Sequence, residues 1–174
     1  MGLAPMASTT ATLAMGDALA ACLIMRKGFR KEDFAFYHPA GALGRRLLLK
    51  VEDIMRQGDA FPRVSQDLLV KDVLLSITRA RCGSACVVDK KGKLVGIFTD
   101  GDLRRHFEES PDILQRAVRQ VMTATPTRIL RNKLAAEAFS LLKERKIDEL
   151  PVVDEKGKAV GLLDIQDLLK AGLF

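Results

Sequence analysis

With 174 residues, 48% of them apolar and 29% charged, the chain is long enough for one to two domains of ~150 residues whose core needs no disulfide staples. That balance excludes a disordered or fibrous protein. The net charge is +6, and most of the excess lies early: residues 1–50 carry 7 basic and 3 acidic groups, residues 51–117 carry 11 of each, and residues 118–174 carry 10 and 8. A nucleic-acid binder would hold a basic stripe with interleaved aromatics on its main domain. Here there is no Trp, one Tyr and no such stripe, so no nucleic-acid partner is expected.

The first predicted element is a helix capped by Ser8 or Thr9, running to about Lys27 and ended by Gly28. No basic region precedes it, Asp17 interrupts it, and no stretch reaches 18 apolar residues, so neither a signal peptide nor a membrane span is expected. Met6 stands where myristoylation needs Ser or Thr. The helix begins abruptly, which reads as a piece of a longer protein. After it, residues 38–46 (HPAGALGRR) form a turn with His38, two glycines, Arg45 and Arg46. Glycines admit close backbone approach, arginines supply charge and histidine moves protons near neutral pH, a combination suited to a phosphorylated ligand. The cysteines are Cys22, Cys82 and Cys86. With no His or Cys cluster beside them, they read as reduced thiols in a cytoplasmic protein, small and buried at 82 and 86, with no metal site.

Residues 51–174 are organised by an internal repeat. Val51–Met55 (VEDIM) recurs 67 positions on as Val118–Met122 (VRQVM), and Val87–Ile97 (VVDKKGKLVGI) recurs 65 on as Val152–Leu162 (VVDEKGKAVGL). In each copy a short strand follows a proline, Pro62 or Pro126. An amphipathic helix comes next, with Leu69, Val73, Leu74 and Ile77 on one face, matched by Leu134, Ala138, Leu141 and Leu142. Asp67 and Asn132 are the predicted caps. Two strands then flank a tight turn, Asp89–Gly92 or Asp154–Gly157, and a last helix starts near Asp100 or Ile165. The order is β-α-β-β-α, twice, and each unit needs the other to cover a bare sheet face.

This doubled grammar, with Gly96-x-x-Thr99-x-x-Asp102, resembles a tandem cystathionine-β-synthase-type (CBS) pair, a module that commonly binds nucleotides and regulates an attached enzyme or transporter. Ser8–Leu13 (STTATL) and the 38–46 turn resemble the end of the sugar-isomerase (SIS) domain in the D-arabinose 5-phosphate isomerase family, whose motif reads H-P-G-G-x-L-G-R; Ala40 replaces one glycine. The resemblance implies an α+β fold: a CBS pair of two β-α-β-β-α units preceded by the terminal helix and loop of an α/β SIS domain. The implied boundaries are 1–50 for the SIS end and linker, 51–110 for the first CBS unit and 118–174 for the second. The implied function is the regulatory region of an enzyme interconverting ribulose 5-phosphate and arabinose 5-phosphate for Kdo and lipopolysaccharide synthesis. The alternative is a free-standing CBS adaptor for a separate protein.

His38 falls on the family's catalytic histidine, a role expected only in the intact enzyme. The lysine, glutamate and phosphate loop of that family would precede Met1, so the chain alone is expected to be inactive. No cofactor is implied. Expected partners are a nucleotide or nucleotide-sugar effector (AMP, ATP, CMP or CMP-Kdo), a sugar phosphate in the full enzyme, and further copies of the chain. For the effector, Gly96, Thr99, Asp102 and Asp167 are the ligand candidates. Thr99 can donate to a phosphate at a helix start, and Asp102 can accept both hydroxyls of a ribose. In the second copy Asp164 stands in place of Thr99 and repels phosphate, so the first site is expected to be the better one. Arg104 and Arg105 read as a solvated helix face.

Overall fold

The structure, a computed structural model of the chain, describes residues 6–30, 33–34, 37, 48–109 and 111–172. Two units divide the chain, Met1–Leu48 and Leu49–Phe174. His38 and the glycines and arginines of its turn lie outside the described residues.

In the first unit the helix α1 runs Met6–Lys27 and ends at Gly28, whose φ of +59° is the left-handed conformation a helix stop favours. Ser8 and Thr9 lie inside it and do not cap it. Thr9 and Thr10 donate from Oγ1 to the Met6 carbonyl at 3.0 Å, satisfying their hydroxyls within the helix. By length and composition α1 could cross a membrane: an 18-residue window has a mean hydropathy of 1.4. The sequence expectation differed because it required an uninterrupted apolar run, whereas the window average absorbs Asp17 and the threonines. The apolar residues Leu13, Met15, Leu19, Leu23 and Ile24 spread around the helix and are exposed. A helix apolar all round is one built for the interior of a larger domain or for lipid.

In the second unit each repeat forms its own sheet. The first contains β1 (Arg63–Ser65), β2 (Ser84–Val88), β3 (Leu94–Thr99) and β4 (Thr123–Ala124), in that spatial order. β1 pairs parallel with β2, and the remaining neighbours are antiparallel. The second contains β5 (Ile129–Leu130), β6 (Glu149–Val153) and β7 (Ala159–Asp164), again parallel and then antiparallel. The long helices α3 (Val70–Ala80) and α5 (Ala135–Arg145) cross between the parallel strands, and α4 (Asp100–Glu109) and α6 (Ile165–Lys170) close the units. A short helix, α2 (Val51–Ile54), opens the first repeat.

The hairpins follow the sequence reading. Asp89 Oδ1 accepts the N–H groups of Lys91 and Lys93 at 2.8 and 2.9 Å, and Asp154 does the same for Lys156 and Lys158. Gly92 and Gly157 both sit at φ +77°. The two turns also join each other: Leu94 N–H donates to the Gly157 carbonyl at 3.1 Å and Ala159 N–H to that of Gly92 at 3.2 Å. Cys86, Val88 and Leu94 meet Val153, Ala159 and Leu162 in a core shared by both repeats.

The segments that open the repeats are exchanged. Val51 and Met55 belong to the core of the second repeat, with Ile129, Leu150, Val152 and Leu163. Val118 and Val121 belong to that of the first, with Val64, Val73, Val87 and Phe98. Backbone pairing enforces the exchange: Val51 N–H donates to the Lys133 carbonyl at 2.9 Å, and Val118 N–H to the Leu68 carbonyl at 2.8 Å. These bridges also place both helix starts two residues later than expected, with Leu69 and Leu134 at the cap positions in place of Asp67 and Asn132. Asp67 does not cap α3; it pairs with Arg119 instead.

Candidate ligand cleft between the repeats

Both signature motifs open into one cleft of about 980 Å³ between the repeats. Four arginines, Arg56, Arg81, Arg104 and Arg105, line it together with Thr99, Asp102, Glu149 and Asp164. Gly96 does not line it. A Cβ there would stand 2.3 Å from Met122 Sδ, so this glycine exists for close packing of the exchanged segment rather than for a ligand. Gly161, its counterpart, meets Met55 Sδ at 2.6 Å.

At the first motif Thr99 and Asp102 form a reciprocal helix cap. Thr99 donates to Asp102 Oδ2 from N–H and from Oγ1, both at 2.9 Å, and Asp102 N–H donates back to Thr99 Oγ1 at 3.2 Å. Asp102 Oδ1 accepts from Thr123 Oγ1 at 2.9 Å and from Arg105. Its side chain is 3% exposed, so the carboxylate is saturated by its own protein; any ligand hydroxyl has to displace Thr123 and Arg105 to reach it. Arg105 is 67% exposed and can swing away. It is therefore a partner of Asp102 rather than a bare solvated face.

At the second motif Asp164 N–H donates to Asp167 Oδ2 at 3.2 Å, and Arg56 engages both carboxylates. Its Nε donates to Asp167 Oδ2 at 2.8 Å, and its Nη2 donates to Asp167 Oδ1 and Asp164 Oδ2, each at 3.2 Å. Nη1 reaches the Arg81 carbonyl and Cys82 Sγ at 3.1 Å each. The hydrogen bond to Asp167 holds this guanidinium charged, raising an already high pKa. Arg56 escaped the sequence reading. The signal lay in the repeat: it follows VEDIM as Thr123 follows VRQVM, so one copy has a cation where the other has a hydroxyl.

Glu149 was also missed, although an acid within the apolar run of β6 is unusual. Its Oε1 accepts the Gly83 N–H at 3.1 Å. Burial pushes its carboxyl above the ordinary range, opposed by that N–H. Cys86 is buried and Cys82 half-buried, both thiols free; burial pushes both up, so neither is an activated nucleophile. Among the described residues no group of three or more His, Cys, Asp or Glu could hold a metal.

Repeated sheets joined by exchanged segments around a shared cleft define a module of the CBS type. The family model described as CBS domain matches residues 51–109 and 118–173, and the chain belongs to that family. Beyond the module, the chain is 49% identical over 174 residues to arabinose 5-phosphate isomerase KdsD of Pseudomonas aeruginosa, covering all of this chain and 53% of that protein. It is 47% identical over 173 residues to the KdsD of Escherichia coli K12, covering 99% of this chain and 52% of that one. The chain thus spans about half the length of these curated relatives, and the resemblance to their family holds from the first helix to the last. Among solved structures, CBSX2 in complex with AMP is similar at 28% identity with a TM-score of 0.63, covering 72% of this chain and 96% of that one.

Proposed function

We propose that the chain is the C-terminal regulatory region of a cytoplasmic D-arabinose 5-phosphate isomerase, and that its CBS pair binds a nucleotide or nucleotide-sugar effector. The observation that carries this reading is the arginine-lined cleft into which both motifs open, in a chain that matches such isomerases along its whole length. An AMP complex of a relative that covers the same module supports a nucleotide as ligand class. On this reading α1 is the last helix of the SIS domain, and its exposed apolar surface belongs inside that domain. His38 acts in catalysis only there, on a sugar phosphate, and copies of the chain associate through the pair. The chain of residues 1–174 is expected to show no ribulose 5-phosphate isomerisation above buffer. Turnover that disappears in His38→Ala would place the active site within it.

The effector site is Thr99 and Asp102, with arginines 81, 104 and 105 available to phosphate. A ribose at Asp102 exchanges the Thr123 and Arg105 contacts for hydrogen bonds to the same charged acceptor, so the net gain is the difference between bonds worth about 1.5–3 kcal/mol each. In calorimetric titrations with AMP, ATP, CMP and CMP-Kdo, at least one should bind below millimolar. Asp102→Ala should weaken it roughly ten- to a hundred-fold, at ~1.4 kcal/mol per tenfold. If none binds, the pair is an assembly module without an effector.

A further inference from the structure

The cleft has two halves related by the repeat, and they are closed by different means. Thr123 and Arg56 occupy equivalent positions after the exchanged segments: Thr123 pairs with Ile97 in β3 and Arg56 bridges to Leu162 in β7. Each side chain reaches the motif aspartate of the opposite repeat, Thr123 to Asp102 and Arg56 to Asp167. On the first side a single hydroxyl and an arginine that is 67% exposed stand over the carboxylate. On the second stands a guanidinium that is 17% exposed, with Asp164 and Asp167 at 16% and 14%. It spends all three of its nitrogens on five acceptors drawn from both repeats.

We infer that Arg56 is a built-in occupant of the second half of the cleft, so that the cleft takes one nucleotide-class ligand per chain, on the Thr99/Asp102 side. The inference rests on the effector reading above and adds the number of sites and the residue that sets it. Electrostatics makes the closure selective. If Arg56 leaves, two carboxylates, Asp164 and Asp167, face the vacated space together, and a phosphorylated ligand brings further negative charge. A nucleotide therefore cannot replace the guanidinium it would have to expel. On the other side the departing groups are a hydroxyl and the exposed Arg105, which on leaving Asp102 can turn onto the phosphate.

The test is stoichiometry by calorimetry with AMP and with CMP, on three forms of the 174-residue chain. Wild type should bind one nucleotide. Asp164→Thr, which restores the hydroxyl of the first motif but leaves Arg56 on Asp167, should still bind one. Arg56→Thr combined with Asp164→Thr rebuilds the second half on the pattern of the first and should bind two. Should that variant fail to melt cooperatively, Arg56→Ala with Asp164→Thr replaces it under the same expectation. Two nucleotides on the wild type or on Asp164→Thr alone, or one on the double variant, overturn the role of Arg56 while leaving the effector reading standing. No binding of AMP or CMP to any form overturns the count of one; with ATP and CMP-Kdo silent as well, the effector reading falls with it.

Discussion

Glu149 shows what a half-buried carboxyl does to this fold. Its pKa lies above the ordinary range because burial disfavours the anion. The native state therefore holds its proton more tightly than the unfolded chain, and stability falls as pH rises from the ordinary carboxylate range through the raised value. Glu149→Gln keeps an acceptor for the Gly83 N–H and removes the charge. Its melting temperature should exceed that of wild type at pH 7–8, with the gap closing towards pH 4, where wild type is protonated; an equal gap at both ends would assign the effect to packing. Glycines 96 and 161 test close approach in the same way. Alanine at either position overpacks the exchanged segment, at about 1–3 kcal/mol. Gly161→Ala should cost more in a denaturant titration, because its Cβ meets the rigid backbone oxygen of Arg56 at 3.0 Å as well as the Met55 side chain. At Gly96 only the flexible Met122 side chain must give way.

The exchanged segments decide how elements depend on one another. Val51 is sequential with the first repeat yet fully buried in the core of the second, and Val118 is the reverse. Val51→Ala should cost about 2 kcal/mol in transfer and cavity terms. The loss should be read in hydrogen exchange as lower protection of β6 and β7, not of β2 and β3; Val118→Ala should give the opposite map. Residues 51–110 alone keep β1–β3 but lose β4, and lose Val118, Val121 and Ile113 from their core, and should not melt cooperatively. A fragment of residues 61–124 retains those residues and, although it exposes Cys86, Val88 and Leu94, should be the more stable of the two in a denaturant titration. If 51–110 were the more stable fragment, the exchange would contribute nothing to folding.

At the scale of the molecule, the cores of the second unit are built from Val, Ile, Leu, Ala and Phe with Met55 and Cys86, and the thiols are free. Reductant and chelator added together should leave the melting temperature unchanged within error. A fall of several degrees would mean that Cys82 or Cys86 is bridged or ligating. The apolar helix α1 sets the other expectation at this scale. The chain should bind a dye for exposed apolar surface, and removing residues 1–48 should abolish that signal without lowering the melting temperature of the second unit. Dye binding that survives the truncation would place the exposed surface within the CBS pair.

How much of this was legible beforehand follows from the range of each interaction. The repeat, the β-α-β-β-α order, the Asp–Gly turns and the family resemblance rest on short-range patterns: spacing of apolar residues, a glycine at positive φ, residues adjacent in the chain. The structure does not keep the cap roles given to Ser8, Thr9, Asp67 and Asn132. α1 starts ahead of Ser8 and Thr9, and the bridge from Leu69 to Ala117 sets the start of α3. The motif Thr99-x-x-Asp102 was visible as a pattern, but its saturation was not. The residues that complete it, Thr123 and Arg105, lie 21 residues away and one turn along the helix. Arg56 lies 111 residues from Asp167, and nothing local announces that contact. The sequence by itself determined the elements, the duplication and the two candidate half-sites. Only the tertiary structure decided which segment covers which repeat and which half of the cleft stands filled, because backbone pairing and charge complementarity between distant segments arise only when the repeats are brought together.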